Sequence, residues 1–501
     1  MKSALRIGTL APRVCLNLLT MILVALPAGI TAQPEERERY FVVMLDDQRA
    51  GWMRESTRIV DDQIISAGEL HFELKRGAIQ VAITLSSEFV ETTDYEPVRV
   101  TSTQSMAALP VTTEVVFTED SMDVSITQNG VTNKQSQPLP EGAWLTPGGA
   151  EEFFKRRLAA GAEEIELRTI EPMAGLAPII TTYTGFTEET IEVFGRDVPA
   201  VRANVTQSVA PGMSSIEHMD HSGRMLRSVT DMGGMRMNIV AADKELALAE
   251  LDPPELMQST FVSPIGEINR PRKTTKATYI LSVPDGELAD LPNLPSQTMT
   301  RIDDRTIRLK VTMGDEAIDD EEPGEIHLEA STMLDKDDPE IMKLTKRAQP
   351  SGDAPASIRA EAMRRAVFNH IDEKNLGVGI ATASEVARTG VGDCTEHGTL
   401  LAAMLRADGI PSRTVSGLVF VENFEGSKDI FGYHMWTQAW IEEDGQGRWV
   451  DYDATLGPNN RYDATHIALA VSAMSDDDST NSMITLVPLL GRLEIEIVEA
   501  K

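Results

Sequence analysis

Cysteine is nearly absent from this chain, whose 501 residues include only Cys15 and Cys394. Two cysteines can form at most one intramolecular bridge, so a small fold held together by several disulfides is excluded. Apolar packing must stabilise the chain instead. Its length is sufficient for roughly two to four domains of about 100 to 200 residues each.

Basic residues are also scarce. The chain has 46 Lys and Arg against 78 Asp and Glu, which gives a formal net charge of −32. A protein that binds nucleic acid needs a basic face to neutralise the phosphates. We therefore expect no nucleic-acid partner, and we interpret the acidic excess as a solvated surface.

Acidic residues are missing from the first 32 positions. This segment has three basic residues, then an apolar run over residues 14–30, and ends at the small residue Ala32. The order predicts a secretory signal peptide over residues 1–32. An uncleaved membrane anchor is the alternative, because the run is close to the minimum length for spanning a bilayer. We expect export to the periplasm, the cell envelope or the medium, without stable membrane insertion after cleavage.

Cleavage after residue 32 would remove Cys15 and leave Cys394 as the single thiol. A lone thiol in an oxidising compartment is prone to unwanted oxidation unless it is buried or has a function. Cys394 is therefore a candidate functional residue before any motif is considered.

Apolar and polar residues alternate along most of residues 39–251, as in AIQVAITLSSEFVETT, which predicts half-buried antiparallel strands. A helix starting near Gly148 interrupts them. Strands resume after a polar segment, the last in EIHLEAST, and a helical pattern begins at Asp338. We predict an α+β fold with these parts: a β-rich domain at 33–262, a linker at 263–276, a small β module at 277–336, a helix-and-sheet domain at 337–490 and a C-terminal strand or tail at 491–501.

The segment GVGDCTEHGTLLAAMLRADGIP predicts a helix that begins at Cys394. Asp393 followed by Glu396 forms a capping-box pattern, and Gly409 with Pro411 ends the helix. Unpaired backbone N–H groups and the positive end of the helix dipole favour a thiolate at this position. A small buried cysteine at a helix start is the alternative interpretation.

A base and a carboxylate follow in the chain. Residues 433–442 alternate as a strand with His434 on one face, and Asp453 lies in the next predicted strand, RWVDYDAT. Nucleophilic catalysis by a thiol needs a base to take its proton and a carboxylate to orient the imidazole. We predict that Cys394, His434 and Asp453 form this set.

The length of the connection between the two strands decides whether His434 and Asp453 lie close together. A tight turn at DGQG would place Gln438 opposite Asp453 and leave His434 four residues away, at about 3.3 Å per residue. A longer loop over residues 441–446 would place His434 directly opposite Asp453. We predict the longer loop.

Three blocks of this sequence resemble those of the transglutaminase-like superfamily. GDCTEHGTLLAAMLRADGIPSRTVSG is similar to the cysteine block of its bacterial members, YHMWTQAW to the histidine block, and WVDYDAT to the aspartate block. The resemblance covers about residues 338–466. It implies a papain-like fold, with Cys394 as nucleophile, His434 as base and Asp453 as orienting acid.

Two departures from the family pattern matter. Ala454 stands where the family usually has proline after the aspartate. Animal transglutaminases place an oxyanion-stabilising tryptophan before the cysteine, yet no tryptophan lies between Trp144 and Trp436. The backbone N–H of Cys394 can supply one oxyanion donor, and the sequence does not identify a second.

Other residues compete for these roles. His397 lies one helical turn from Cys394 and is an alternative base, and Asp451 is an alternative orienting acid. Trp436 and Trp440 either line the cleft or belong to the core. Methionines and histidines between residues 213 and 237 could bind copper, although strands joined by a turn explain them more simply. We expect no metal and no cofactor.

The resemblance implies a thioester at Cys394 formed from a peptide or side-chain amide of a protein or peptide substrate. Water as acceptor would make the chain a cysteine protease or amidase, and an amine would make it an acyltransferase. We favour hydrolysis. The alternative is a non-catalytic binding or assembly protein of the envelope that uses the papain-like domain as a scaffold.

Overall fold

The computed structural model describes residues 37–76, 79–106, 110–128, 131–172, 175–209, 213–231, 235–284, 286–313, 321–331, 333–374, 381–443, 445–475 and 489–501. The predicted signal peptide and Cys15 lie outside these ranges. Within them, no helix is both long and apolar enough to cross a membrane. The chain divides into two compact units, with the boundary between Glu255 and Leu256.

The N-terminal unit is built on one antiparallel sheet of fourteen strands. Neighbours in the sheet are β8 to β1 in reverse chain order, followed by β14 to β9, so the first and last strands pair in its middle. The strands are β1 (Arg37–Leu45), β2 (Gln48–Val60), β3 (Gln63–Arg76), β4 (Ile79–Thr92), β5 (Pro97–Met106), β6 (Val111–Phe117), β7 (Ser121–Gln128), β8 (Val131–Pro138), β9 (Glu164–Glu171), β10 (Gly175–Val193), β11 (Arg196–Gln207), β12 (Ser214–Met219), β13 (Met225–Asp231) and β14 (Arg236–Ala242).

Two helices accompany this sheet, α1 (Pro147–Ala159) and the short α2 (Lys244–Ala247). The side chain of Thr146 caps α1, and buried Phe154 packs edge-on against Tyr183 of the sheet. The large sheet and its packed helix agree with the strand alternation and the helix predicted near Gly148.

The C-terminal unit combines helices with two four-stranded antiparallel sheets, ordered β16-β17-β15-β24 and β22-β21-β20-β23, and a parallel pair of short strands, β18 and β19. Its strands are β15 (Lys276–Ser282), β16 (Gln297–Asp303), β17 (Thr306–Thr312), β18 (Glu373–Lys374), β19 (Val391–Gly392), β20 (Ser412–Phe424), β21 (Ser427–Glu443), β22 (Gln446–Tyr452), β23 (His466–Ser472) and β24 (Glu494–Ala500). Its α-helices are α3 (Pro339–Ala348), α4 (Ala356–His370), α5 (Ala383–Thr389) and α6 (Cys394–Ala407). Single 3-10 turns lie at Gln258–Thr260, Pro271–Lys273 and Glu325–His327. Antiparallel sheets and segregated helices make the fold α+β, as predicted.

Packing in this unit does not follow the predicted internal boundaries. β24 pairs with β15, and Tyr279 of β15 meets Phe431 of β21 in a shared apolar core. The segment 263–276 is tied to the same unit, because Arg272 forms an ion pair with Asp463. The described residues from Leu256 to Lys501 therefore form one compact unit, in which strands of the predicted small β module share an apolar core with β20, β21 and β23.

One predicted strand in this unit is wrong. EIHLEAST begins with the 3-10 turn Glu325–His327, and Ile326 is 38% exposed there. Alternating side chains alone do not make a strand, which also needs a partner for its backbone hydrogen bonds.

Helix α6 is held firmly against β21, and this contact positions its first residue. Leu400, Leu401 and Leu405 are fully buried in the core. The Thr437 hydroxyl of β21 donates a 2.9 Å hydrogen bond to the carbonyl of Gly398. The absence of a side chain at Gly398 allows the close approach of Met435, whose side chain would lie 3.3 Å from an added Cβ.

Candidate active site

Cys394 is the first residue of α6, as predicted. Asp393 is the N-cap, and its carboxylate accepts a 2.9 Å hydrogen bond from the N–H of Thr395. The carboxyl of Glu396 accepts in return from the N–H of Asp393 at 2.8 Å, completing the predicted capping box. Burial and the nearby Asp393 raise the pKa of Glu396 to about 8. A protonated Glu396 would leave the positive end of the helix free to stabilise a thiolate.

The structure brings the three predicted residues together. The imidazole Nε2 of His434 lies 2.9 Å from Oδ2 of Asp453, and the same ring is hydrogen-bonded to the thiol of Cys394. Because Nε2 faces the carboxylate, the other ring nitrogen, Nδ1, is the one available to the thiol. The orienting carboxylate thus selects the tautomer that can accept a proton from sulfur.

The predicted long loop between the two strands is wrong. Glu443 pairs with Gln446, so the turn is tight, and Gln438 lies opposite Asp451. The contact of His434 with Asp453 still forms, because β22 ends at Tyr452 and the next residue leaves the strand. Diagonal neighbours on paired strands are about 7–8 Å apart, which two side chains of this length can span.

The carboxylate of Asp453 is buried and is surrounded by hydrogen-bond donors. Oδ1 accepts from the N–H and the hydroxyl of Thr455 at 2.8 and 2.7 Å, and Oδ2 lies near both His434 and His466. Burial alone would raise the pKa of Asp453, but the charges and hydrogen bonds of the two histidines hold it well below its ordinary value. Asp453 is therefore ionised at neutral pH.

The pKa of His434 is affected by two opposing influences. Burial favours the neutral ring, whereas the charge of Asp453 and hydrogen bonds to Asp453 and Cys394 favour the imidazolium, and the net effect raises the pKa to about 9. The ring can therefore carry the proton of the thiol at neutral pH.

Two contacts of Asp453, one with an arginine and one with a histidine, were not expected from the sequence. Arg364 of α4 is only 2% exposed and donates to the backbone carbonyl of Asp453 at 3.2 Å and to that of Leu456 at 2.7 Å. His466, at the start of β23, lies 3.2 Å from Oδ2 of Asp453. Neither residue lies in the matched sequence blocks around Cys394, His434 and Asp453, and only the fold brings them to the carboxylate.

The alternative residues have other partners. His397 is buried, and its Nδ1 contacts the backbone carbonyl of Asp393. Asp451 accepts 2.8 Å hydrogen bonds from Trp436, Gln438 and Ser296, and burial raises its pKa despite these donors. His434 therefore makes a contact with the thiol, and Asp453 makes the contact with His434.

The two tryptophans of β21 have different surroundings. Trp436 is fully buried, and its ring centroid lies 6.2 Å from that of His434 and 5.4 Å from that of His466. Trp440 packs on Trp449 at 5.6 Å. Trp436 thus walls the histidine cluster, whereas Trp440 belongs to an aromatic pair farther along the strand.

One group of side chains has the spacing of a three-ligand metal site. His434, Asp453 and His466 each place one donor atom within 4.8 Å of the other two. Hydrogen bonds between the two imidazoles and the carboxylate account for these distances. In the segment 213–237, Met219 and Met225 are buried and His218 contacts Glu189, as expected for strand residues, while Met232 lies outside the described residues.

Comparisons with known proteins place this geometry in a family. Residues 343–454, which include Cys394, His434 and Asp453, match the model of the transglutaminase-like superfamily. A comparison with curated proteins finds no match.

Three solved structures are similar to parts of the chain. A candidate cysteine protease from Cytophaga hutchinsonii is 17% identical over 44% of this chain and 83% of its own, with a TM-score of 0.27. A β-barrel-like protein of a domain of unknown function from Brucella abortus is 10% identical over 43% of this chain and 98% of its own, with a TM-score of 0.33. A candidate protease from Parabacteroides distasonis is 11% identical over 81% of this chain and 68% of its own, with a TM-score of 0.18.

The family match agrees with the resemblance carried by the three sequence blocks, and a thiol, an imidazole and a carboxylate meet within the matched range. Residues 343–454 of this chain therefore form a transglutaminase-like domain, and the coarse assignment that follows for the C-terminal unit is a thiol enzyme.

Proposed function

We propose that this chain is an exported thiol hydrolase that cleaves peptide or side-chain amide bonds through a thioester at Cys394. The observation that carries the proposal is a single imidazole, His434, which is hydrogen-bonded to the Cys394 thiol and to the buried carboxylate of Asp453. A scaffold has no physical need for this arrangement, whereas a thiol nucleophile requires it.

In the first step, His434 Nδ1 takes the proton of the thiol and the sulfur attacks the carbonyl carbon of the amide. The C–N bond then breaks, and the imidazolium returns the proton to the departing amine. The product is a thioester between the substrate acyl group and Cys394. Asp453 stabilises the imidazolium throughout and keeps its Nε2–H directed at the carboxylate.

In the second step, a water molecule donates its proton to His434 and attacks the thioester. Collapse of this intermediate breaks the C–S bond, releases the carboxylic acid and gives the proton back to the sulfur. An amine in place of water would produce a new amide. We favour water because no described residue marks a dedicated amine site.

The oxyanion of each tetrahedral intermediate needs donors near the sulfur. The capping box engages the N–H groups of Asp393, Thr395 and Glu396. This leaves the N–H of Cys394, at the positive end of α6, as the backbone donor closest to the reacting carbon.

The proposal is tested by trapping the acyl-enzyme. The purified chain is mixed with a library of peptides and glutamine-containing proteins, and the peptide containing Cys394 is examined by mass spectrometry after acid quenching. We expect an acyl adduct on Cys394 that disappears in Cys394→Ser and accumulates poorly in His434→Ala. Added hydroxylamine or a labelled alkylamine distinguishes acceptors, because hydrolysis gives a free acid and transfer gives a labelled product.

A matched control is Asp451→Asn, which alters a second buried carboxylate two residues before Asp453, one that accepts hydrogen bonds from Trp436, Gln438 and Ser296. The absence of any adduct in the unaltered chain, together with thiol chemistry that is indifferent to His434, would contradict the proposal. That result would favour the binding or assembly protein as the alternative function.

A further inference from the structure

His466 is a completely buried histidine whose side chain has 0% exposure. It begins β23 and lies against Oδ2 of Asp453, the carboxylate oxygen that also contacts the thiol partner His434. The base and the orienting acid are already accounted for in the proposed mechanism, so a second buried histidine on the same oxygen requires its own explanation.

Both ring nitrogens of His466 face oxygen atoms that can only accept hydrogen bonds. Nδ1 lies 3.0 Å from the backbone carbonyl of Asp463, and Nε2 lies 3.2 Å from Oδ2 of Asp453. A carbonyl carries no proton, and Asp453 is ionised. Each ring nitrogen must therefore carry a hydrogen, which is the imidazolium form.

The charged groups around this ring fit a cation. Asp453, which follows β22, contacts the ring at Nε2. One carboxylate oxygen of Asp463 lies 3.5 Å from Nδ1 of His466, and the other oxygen of Asp463 pairs with Arg272 at 3.0 Å. Asp451 of β22 also interacts electrostatically with the ring. Three acidic side chains thus face His466. Two cations compete with it for these carboxylates: the imidazolium form of His434, 5.9 Å away between ring centroids, and Arg272, which shares Asp463.

The remaining neighbours are aromatic. The ring of Tyr462 lies 4.4 Å from that of His466, and Trp436 presents its ring at 5.4 Å in an edge-on arrangement. Burial raises the pKa of Tyr462 well above its ordinary value, so it adds no negative charge. An aromatic face next to a buried cation adds further stabilisation.

We propose that His466 is a standing imidazolium that fixes the position and balances the charge of the Asp453 carboxylate, and that Arg272 and Asp463 hold it in place. The inference rests on the proposed function, since it assigns a positioning role in the same site. The resulting row, Arg272, Asp463, His466, Asp453, His434 and Cys394, alternates in charge when the thiol is ionised. Burial alone would lower the pKa of His466, but Asp453 and Asp463 raise it to about 9, consistent with this assignment.

A permanent positive charge on His466 affects the pKa of the base, His434. This positive charge weakens the attraction that Asp453 exerts on a proton at His434. Replacement of His466 by a neutral residue should therefore move the pKa of His434 upward, while the less constrained carboxylate slows turnover. If His466 had only a structural role, replacing it would change the stability of the chain but would not move the alkaline limb of the profile of turnover rate against pH.

The first arm of the test uses the unaltered full chain labelled with 15N at histidine. The chain contains eight histidines, and the signals of His466 are assigned by their loss in His466→Gln. We expect two protonated ring nitrogens at pH 7, retained to about pH 8 and unchanged after dialysis against a chelator. A single protonated nitrogen at pH 7, or a spectrum altered by the chelator, would overturn the inference.

The second arm measures turnover against pH in His466→Gln, with His221→Gln as an exposed control outside the site. We expect kcat to fall by about 10- to 100-fold in the first variant with KM little changed, and the alkaline limb to move to higher pH. An alkaline limb at the same pH in both chains would contradict the role assigned to His466.

The two proposals fail separately, because the NMR result requires no enzymatic activity. An unreactive Cys394 together with a doubly protonated His466 ring would refute only the proposed function.

Discussion

The imidazole of His434 and the carboxylate of Asp453 meet at 2.9 Å through Nε2 and Oδ2, and this contact determines which nitrogen faces the sulfur of Cys394. The carboxylate is supported from the other side by Thr455 and from its backbone by Arg364. The orientation of the base therefore depends on residues from several elements, and each can be tested by substitution.

Asp453→Asn should lower the rate of amide cleavage by about 10³- to 10⁴-fold, because an amide can present its N–H to His434 and favour the wrong tautomer. Loss of the negative charge should also lower the pKa of His434 and move the alkaline limb to lower pH. Steady-state kinetics against pH measures both effects. Asp451→Asn is the control, since an amide there can still satisfy Trp436, Gln438 and Ser296. Equal losses in both variants would show that burial, and not the contact with His434, matters.

Arg364→Met should destabilise the chain by about 2–4 kcal/mol, because it leaves buried carbonyl groups without donors. Activity should fall as well, since Arg364 holds the backbone of Asp453. Denaturant unfolding and turnover are measured together. Arg365→Met is a matched control, because Arg365 pairs with the same Glu361 but is 48% exposed, which predicts a change of about 0–1 kcal/mol. Similar effects of the two substitutions would contradict this account.

Gly392 precedes the cap of α6 and has no room for a side chain. An added Cβ would lie 2.3 Å from the Cβ of Glu396, so Gly392→Ala should displace the capping box and cost about 1–3 kcal/mol. It should also slow alkylation of Cys394. Gly398→Ala is the control within α6, where the nearest atoms belong to the flexible Met435 at 3.3 Å. We expect Gly398→Ala to change the stability of the chain little, because the better helix propensity of alanine offsets the close contact with Met435.

Stability should fall as pH rises from neutral towards alkaline. The pKa values of His434 and His466 are raised to about 9, so the folded chain binds more protons than the unfolded chain above the ordinary histidine pKa of about 6.5. Their contribution is complete below about pH 6.5 and is lost as the pH rises through about 9. Each proton adds a slope of up to about 1.4 kcal/mol per pH unit. His466→Gln should show a shallower decline in urea unfolding between these values, and an equal slope would contradict the assignment.

Much of the site could be predicted because its information is local. The capping box, the helix that begins at Cys394, and the strand that carries His434 follow from spacing within a few residues. The α+β class follows from long stretches of alternating strands and a later helical region. Asp453 was predicted through the family resemblance, even though the expected loop was wrong.

The remaining features depend on contacts between distant segments. Arg272 lies in a segment predicted to be a linker, yet it pairs with Asp463 beside the site. His466 and Arg364 reach Asp453 only through the packing of β23 and α4. Pairing of β24 with β15 likewise unites segments that the sequence pattern treats as separate. No local periodicity encodes such contacts.

The most direct test of the central claim is the alkylation rate of Cys394 against pH. Cys15→Ser leaves Cys394 as the only thiol, and the rate is compared with that of the same chain bearing His434→Ala. We predict rapid alkylation already at pH 6 to 7 that is strongly reduced without His434, because the imidazole takes the thiol proton. A rate that rises with pH like that of a free thiol, and is the same in both chains, would contradict the account.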